Sequence, residues 1–196
     1  MSEKSCAGLF SICGELINML EGIANDFYRH RKENLPEVEK LSASTVSDMK
    51  KNILKTPIIT GVSTKEAAGK YEVMRDLEYI RLNLEKIMKA TQDKVNNSVL
   101  FSNWAVKELD VLFEGAKDSL TSLAGYFSQC GEKNRPMLER QLDGLIDNCT
   151  QYTRAHEERF FKGICTPESS AIYQQMLDAF RDIFRHVKSC IIKVYK

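Results

Sequence analysis

Carboxylates recur every four residues at three places in this 196-residue sequence. The rows are Glu72 and Asp76, then Glu139, Asp143 and Asp147, then Asp178 and Asp182. A spacing of four places side chains on one face of a helix, where like charges repel by about 0.2 to 0.5 kcal/mol per pair. Such rows favour either nearby counter-charges or a bound cation. Because carboxylate oxygens are hard ligands, the cation would be magnesium, calcium, manganese or iron.

Two interpretations of these rows are open. In the first, the acids bind a metal, chiefly in the second half of the chain, and Asp143 or Asp147 approaches Asp178 or Asp182 across a groove between two helices. The candidate ligands are then Glu139, Asp143, Asp147, Asp178, Asp182, Glu72, Asp76 and Glu78, with Glu39 in the poorer first-half set. In the second, the acids form a solvated face that neighbouring arginines partly balance. Helical geometry predicts solvent exposure for Glu72, Asp76, Asp178 and Asp182.

The histidines and cysteines do not complete a catalytic site. None of His30, His156 and His186 has the glutamate three residues earlier that di-iron helical bundles use. His156 lies on an apolar stripe, which predicts a buried imidazole with its hydrogen bonds satisfied. The six cysteines lack the spacing of a metal knuckle or redox pair, and the sequence has no glycine-rich phosphate loop or nucleophile elbow. We therefore expect that the protein is not an enzyme.

Six segments carry apolar residues at spacings of three and four, which indicates helices with one buried face. Their boundaries are predicted near His30, Pro36, Pro57, the capping box from Ser63 to Glu66, Val95, Trp104, Gly131, Pro136, Gly163 and Thr166. Trp104 is expected to anchor the start of the fourth helix. No stretch alternates with period two for long enough to form a sheet, so the sequence predicts an all-α fold of six long helices.

The sequence also contains an internal repeat. Asn34-Leu35-Pro36 before the second helix returns as Asn134-Arg135-Pro136 before the fifth, and Glu72 to Leu77 matches Asp178 to Ile183 in its acidic, apolar and Arg-Asp positions. This predicts a single domain, residues 1–196, built from two tandem repeats, 1–96 and 99–196. Each repeat would be a three-helix bundle of antiparallel neighbours, and the two should superpose. The third and fourth helices are expected to hold the bundles side by side.

Charge and hydropathy exclude several classes of partner. The chain has 28 basic and 27 acidic residues and a net charge of +1, so no overall field attracts nucleic acid. No apolar run approaches the roughly 20 residues that a membrane span requires. The stretch from Cys6 to Leu20 is interrupted by Glu15, and we interpret it as a mature helix rather than a signal peptide. Reduced cysteines on apolar stripes, such as Cys13 and Cys149, indicate the cytoplasm.

Two three-helix repeats, a second helix opened by proline, and acid pairs in the third helix resemble the PhoU family of phosphate-uptake regulators over nearly the whole chain. The family's Leu-Glu-Arg-Ile-Gly-Asp motif is similar to residues 77–82, which keep Leu77, Glu78 and Ile80 but place Leu82 at the final aspartate. A shifted register, on Glu72 to Asp76 and on Asp178 to Asp182, keeps both acids. The acids of the family's second helix correspond to Glu139, Asp143 and Asp147 in the second half, and to Glu39, Ala43 and Ser47 in the first.

This resemblance implies a cytoplasmic regulator that binds a transporter or a sensor kinase, with iron, zinc or similar cations on its acidic faces. It does not imply catalysis. The function expected on this basis is a regulatory or accessory role in the transport of phosphate or another anion, exerted through protein contacts and compatible with homo-oligomerisation. The alternative is a generic helical adaptor or effector-binding protein that has lost the metal and phosphate roles.

Overall fold

The computed structural model describes residues 3–54, 64–129 and 135–193, with side chains over 8–53, 68–128 and 135–193. These residues form six helices: α1 (Glu3–Arg29), α2 (Leu35–Leu54), α3 (Thr64–Asn96), α4 (Asn103–Gln129), α5 (Arg135–Phe161) and α6 (Pro167–Lys193). The described ranges contain no strand, which confirms the predicted all-α class. The boundaries predicted at Pro57, Ser63 and Gly131 fall outside these ranges.

Side chains fix the start of two helices. The buried Asp26 carboxylate accepts the backbone N–H groups of Asn34 at 2.8 Å and Leu35 at 3.0 Å, which ties the first turn of α2 to the end of α1. At the start of α6, the Ser169 N–H donates to Thr166 Oγ1 at 3.2 Å. Thr166 therefore caps α6, as the sequence predicts.

Helices α1, α3 and α5 all finish in a left-handed residue. His30, Ser98 and Gly163 have φ values of 52°, 53° and 68°. The N–H of the following residue donates to a carbonyl five residues back, at 3.0 Å for Arg31 and Ile164 and at 2.9 Å for Val99. The three helices therefore end with one type of cap, which closes the orphan carbonyls of the last turn.

Helices α1 and α6 are central to the packing. Helix α1 packs against α2, α3 and α4, whereas α6 packs against α3, α4 and α5; α2 also packs on α3, and α4 on α5. This arrangement is compatible with the two predicted three-helix bundles. The two halves of the chain meet through α1 with α4 and through α3 with α6, so α3 and α4 each pack against the other half, although not chiefly against each other. The ring of Phe101, before α4, lies 5.9 Å from the rings of both Phe27 and Tyr173, which directs α4 onto α1 and α6.

Buried side chains from all six helices form one continuous apolar core. Its largest members include Phe27, Phe127, Tyr173, Phe180 and Phe184. Helix α6 contributes twelve buried residues and α5 only four, so α5 lies at the periphery with most of its surface exposed. The superposition of the two halves stays a prediction.

Candidate functional site

Asp76 on α3 is buried against α6, so the prediction that it faces solvent is wrong. Its Oδ2 accepts hydrogen bonds from Ser189 Oγ at 2.8 Å and Lys193 Nζ at 2.7 Å, and its Oδ1 lies 3.0 Å from His186 Nδ1. The three partners are three, four and seven residues apart, which puts them on one face of α6. The α3–α6 contact thus buries a residue that an isolated α3 would expose. We call these four residues the Asp76 clamp.

The electrostatics of the clamp favour an ionised Asp76. Burial alone would raise the pKa of Asp76, but the hydrogen bonds from His186, Lys193 and Ser189 outweigh it and hold that pKa below its usual value. Because the pKa is lowered in the folded state, the stabilisation is complete above the unfolded pKa of about 3.9. It is lost as the pH falls through the lower folded pKa.

The clamp includes an aspartate, a histidine and a serine, the residue types of a hydrolytic triad, but their connections differ. Ser189 donates to the Asp76 carboxylate and not to the imidazole, so His186 does not act as a base on the serine. The His186 ring stacks on Tyr79 with 4.8 Å between centroids. The geometry therefore supports a structural role, in which the clamp holds α3 to α6.

A cleft of about 420 Å³ lies beside the clamp. It is lined by Glu72, Asp143, Ile146, Arg185, Lys188, Ser189, Ile192 and Lys193. Acids and bases neutralise one another here, since Lys188 Nζ lies 2.5 Å from Asp143 Oδ1 and Lys193 bonds Asp76. The third base of the lining, Arg185, pairs with Asp182, so each base of the cleft already has an acidic partner.

The structure does not bring the predicted metal ligands together. Glu139 pairs with Arg135 at 2.6 Å, Asp178 with Arg181, and Asp182 with Arg185 at 3.3 Å. Glu78 bonds the buried Arg81, whose guanidinium also donates to Ser42 on α2, and Glu39, Glu72 and Asp147 are exposed. Over the described side chains, no group of three or more Asp, Glu, His or Cys could hold an ion. The expected convergence of Asp143 or Asp147 with Asp178 or Asp182 into such a group is therefore not observed.

The physical reason is local charge pairing. Arg181 and Arg185 each follow an acid of the α6 row by three residues, and Arg135 precedes Glu139 by four, spacings at which helix neighbours meet. These bases reduce the repulsion that a cation would otherwise relieve. The residues present do not fit the cation sites that the PhoU resemblance implies.

A further acidic row on α4 escaped the sequence interpretation, although it has the same spacing of four. Asp110, Glu114 and Asp118 line one side of a groove of about 600 Å³ between α4 and α5, which we call the α4–α5 groove. The rest of its lining comprises Val111, Gly115, Ser119, Gln141, Gly144, Leu145 and Asn148. None of the three acids forms an ion pair with a base in the described chain, although Tyr28 Oη donates to Asp110 at 2.7 Å.

A buried polar cluster joins α4, α5 and α6. Arg159 binds Glu108 through both terminal nitrogens, at 2.9 and 2.6 Å, and the Tyr173 hydroxyl donates to the same carboxylate. His156 packs on the Tyr173 ring with 4.6 Å between centroids. The prediction that His156 is buried is confirmed, but neither ring nitrogen has a partner in the described structure. Burial and the nearby Arg159 charge lower the pKa of His156, so the imidazole is neutral at neutral pH.

Large hydrophobic side chains project from the end where α1, α3 and α5 finish. Phe161, Leu100, Trp104 and Ile164 are 86%, 77%, 68% and 60% exposed, the highest values for large hydrophobic residues in the described ranges. They share this end because Arg159 on α5 binds Glu108, one turn after Trp104 on α4. Trp104 therefore faces outward, and the prediction that it anchors α4 is wrong. We call these four residues the apolar end.

Across the described helices, none is both long and apolar enough to cross a membrane. We compared the chain with models of known protein families, with curated proteins and with solved structures. No family model matches it, and neither the curated proteins nor the solved structures gave a match.

Proposed function

We propose that this protein is a helical regulator or adaptor that works by binding another protein. The observation that carries the proposal is the apolar end, where Phe161, Leu100, Trp104 and Ile164 are exposed at one end of a well-packed bundle. Tryptophan and phenylalanine are enriched in protein interfaces, and an exposed apolar cluster is the usual mark of a docking site.

The polar groups support the same choice. The Asp76 clamp joins α3 to α6, and Arg159 with Glu108 joins α5 to α4, so each of these sets has a structural task. Neither set presents a nucleophile activated by a base. We therefore place the function on the outer surface of the bundle rather than in an enclosed reaction site.

The partner to test first comes from the PhoU resemblance, which implies a transporter for phosphate or another anion, or its sensor kinase. In this form the protein is an accessory regulator in the cytoplasm. The alternative is an adaptor for an unrelated partner that keeps the helical scaffold without the metals. The paired state of Asp178, Asp182 and Glu139 favours this alternative over a metal-dependent regulator.

Affinity purification from the native cell tests the proposal. Three baits would be compared: the wild-type chain, the variant Trp104→Ser/Phe161→Ser, and the control Tyr71→Ser. The control removes an exposed aromatic residue near the start of α3, whereas the apolar end lies where α3 finishes. We expect one partner with the wild type and the control, depleted about tenfold or more with the double variant. A transporter or sensor kinase would support the PhoU-like role, and another partner the adaptor role. Equal recovery with all three baits would refute the use of the apolar end.

A further inference from the structure

The α4–α5 groove has a charged side and an apolar floor. Asp110, Glu114 and Asp118 follow one line along α4 over about 12 Å, because eight residues of helix rise by that length. Val111 of α4 and Leu145 of α5 supply the apolar surface of the groove. The α5 side carries uncharged polar groups, and no lining residue is basic.

Among the described residues, no acid of this line forms a direct ion pair with a base. Lys117, the base nearest in sequence, bonds Glu21 on α1 at 2.8 Å and acts on Glu114 and Asp118 only through longer-range attraction. The α6 row differs, since Asp178 and Asp182 each have an arginine three residues on. Like charges four residues apart repel on a helix, so the α4 line gains most from positive charge brought by a ligand.

We propose that the α4–α5 groove binds a basic amphipathic helix of a partner protein. Such a helix places lysines or arginines at spacings of four along one edge, opposite Asp110, Glu114 and Asp118, and leucine-type side chains on the floor beside Val111 and Leu145. Because the groove is acidic, the charged edge of the partner helix must be basic. The apolar floor of the groove favours such a helix over a free cation, which has no apolar side chains. The surface uses different residues from the apolar end, so the inference adds a second contact to the proposed function and does not depend on the first.

Two glycines in the lining, Gly115 and Gly144, leave the groove open, and a larger residue at one of them would block it. A Cβ added at Gly144 meets nothing within 4 Å, whereas one at Gly115 would lie 2.5 Å from Leu145 Cδ2. The Cβ of a leucine at position 144 therefore enters open space on the lining of the groove. Leucine also has a much higher helix propensity than glycine, so this variant should fold at least as well as the wild type.

Fluorescence anisotropy with labelled peptides of about 14 residues, or four turns, tests the proposal. One peptide is an amphipathic leucine–lysine helix, the second has the same composition in scrambled order, and the third has glutamate in place of lysine. We expect the wild type to bind the first peptide alone. Glu114→Gln/Asp118→Asn should weaken that binding about tenfold or more, and added salt should weaken the wild-type binding. Gly144→Leu should abolish it while the melting temperature holds or rises.

The matched control is Glu157→Gln/Glu158→Gln, which removes two exposed acids of α5 that do not line the groove. Its affinity should stay within about twofold of the wild type. The proposal fails if the amphipathic peptide does not bind, if the scrambled peptide binds equally, or if the groove variants bind as the control does. It also fails if calcium or magnesium binds in a manner that requires Glu114 and Asp118 while the peptide does not. Retention of the partner at the apolar end in any of these cases leaves the proposed function standing.

Discussion

Polar groups on the two sides of α6 differ in whether they have bonding partners. Against α3, the buried Asp76 carboxylate has three donors from α6. On the side of α4 and α5, neither nitrogen of the buried His156 has a partner among the described residues, and neither Glu114 nor Asp118 is directly paired with a base there. Paired polar groups therefore hold this fold together, whereas unpaired ones either cost stability or remain available to a ligand.

Asp76 gives the largest expected effect. Asp76→Asn should lower the free energy of unfolding by about 3 kcal/mol at neutral pH, because Lys193 and His186 lose a charged partner at a mostly buried position. Asp182→Asn is the control, since its pair with Arg185 is exposed and should change the free energy by less than about 0.5 kcal/mol. Urea denaturation measures both. Similar losses in the two variants would contradict the structural role of the clamp.

His156 gives the next largest effect, with the opposite sign. His156→Phe should keep the contact with Tyr173, remove two buried nitrogens that have no partner, and raise the free energy of unfolding by about 1 to 2 kcal/mol. The gain should grow in acid. The pKa of His156 is lowered in the folded state. Below the unfolded-state pKa of about 6.5, the unfolded chain therefore binds more protons than the folded chain, and the wild type loses stability.

The difference between the unfolding curves of this variant and the wild type, recorded from pH 7 to pH 5, isolates the contribution of His156. The difference is needed because the pKa of His30 is also lowered, by burial and by the charge of Lys94, so His30 contributes to the pH dependence of both proteins. A difference that does not increase toward pH 5 would show that His156 is already satisfied or protonated in the folded protein.

The smallest change in the free energy of unfolding is expected for the acidic rows. Double variants of the α4 row and of the α6 row can be compared directly. Glu114→Gln/Asp118→Asn should raise the free energy of unfolding by about 0.2 to 0.5 kcal/mol, because it removes repulsion between acids that no directly bonded base offsets in the described chain. Asp178→Asn/Asp182→Asn should give no gain, since each acid also loses its arginine partner. Equal gains in the two double variants at low salt would contradict the distinction between paired and unpaired rows.

The sequence predicts the helices well because the signals for them are local. Apolar spacing places the six helices. Thr166 marks the start of α6 by capping it with its side chain, and Gly163 marks the end of α5 with its left-handed backbone. The environment of Asp76 depends instead on which helices meet. Helical geometry assigns Asp76 to the outer face of α3, and only the antiparallel contact with α6 turns that face inward.

The candidate surfaces were harder to predict for related reasons. The α4 row has the same spacing as the three predicted rows, but none of its acids has a directly bonded base in the described chain because Lys117 bonds Glu21 of α1. The sequence predicts that Trp104 anchors the start of α4, since large apolar side chains are usually buried. Its exposure follows from the path of residues 97–102, in which Phe101 and not Trp104 enters the core.

Trp104 is the single tryptophan of the chain, so it reports directly on the proposed use of the apolar end in binding a partner. Labelling with 5-fluorotryptophan gives one ¹⁹F resonance, and tryptophans of an unlabelled partner contribute none. On addition of the partner recovered from the native cell, we expect this resonance to shift and broaden in the wild type as Trp104 leaves solvent. Saturating binding, measured independently, that leaves the resonance at its free position and width would contradict the account.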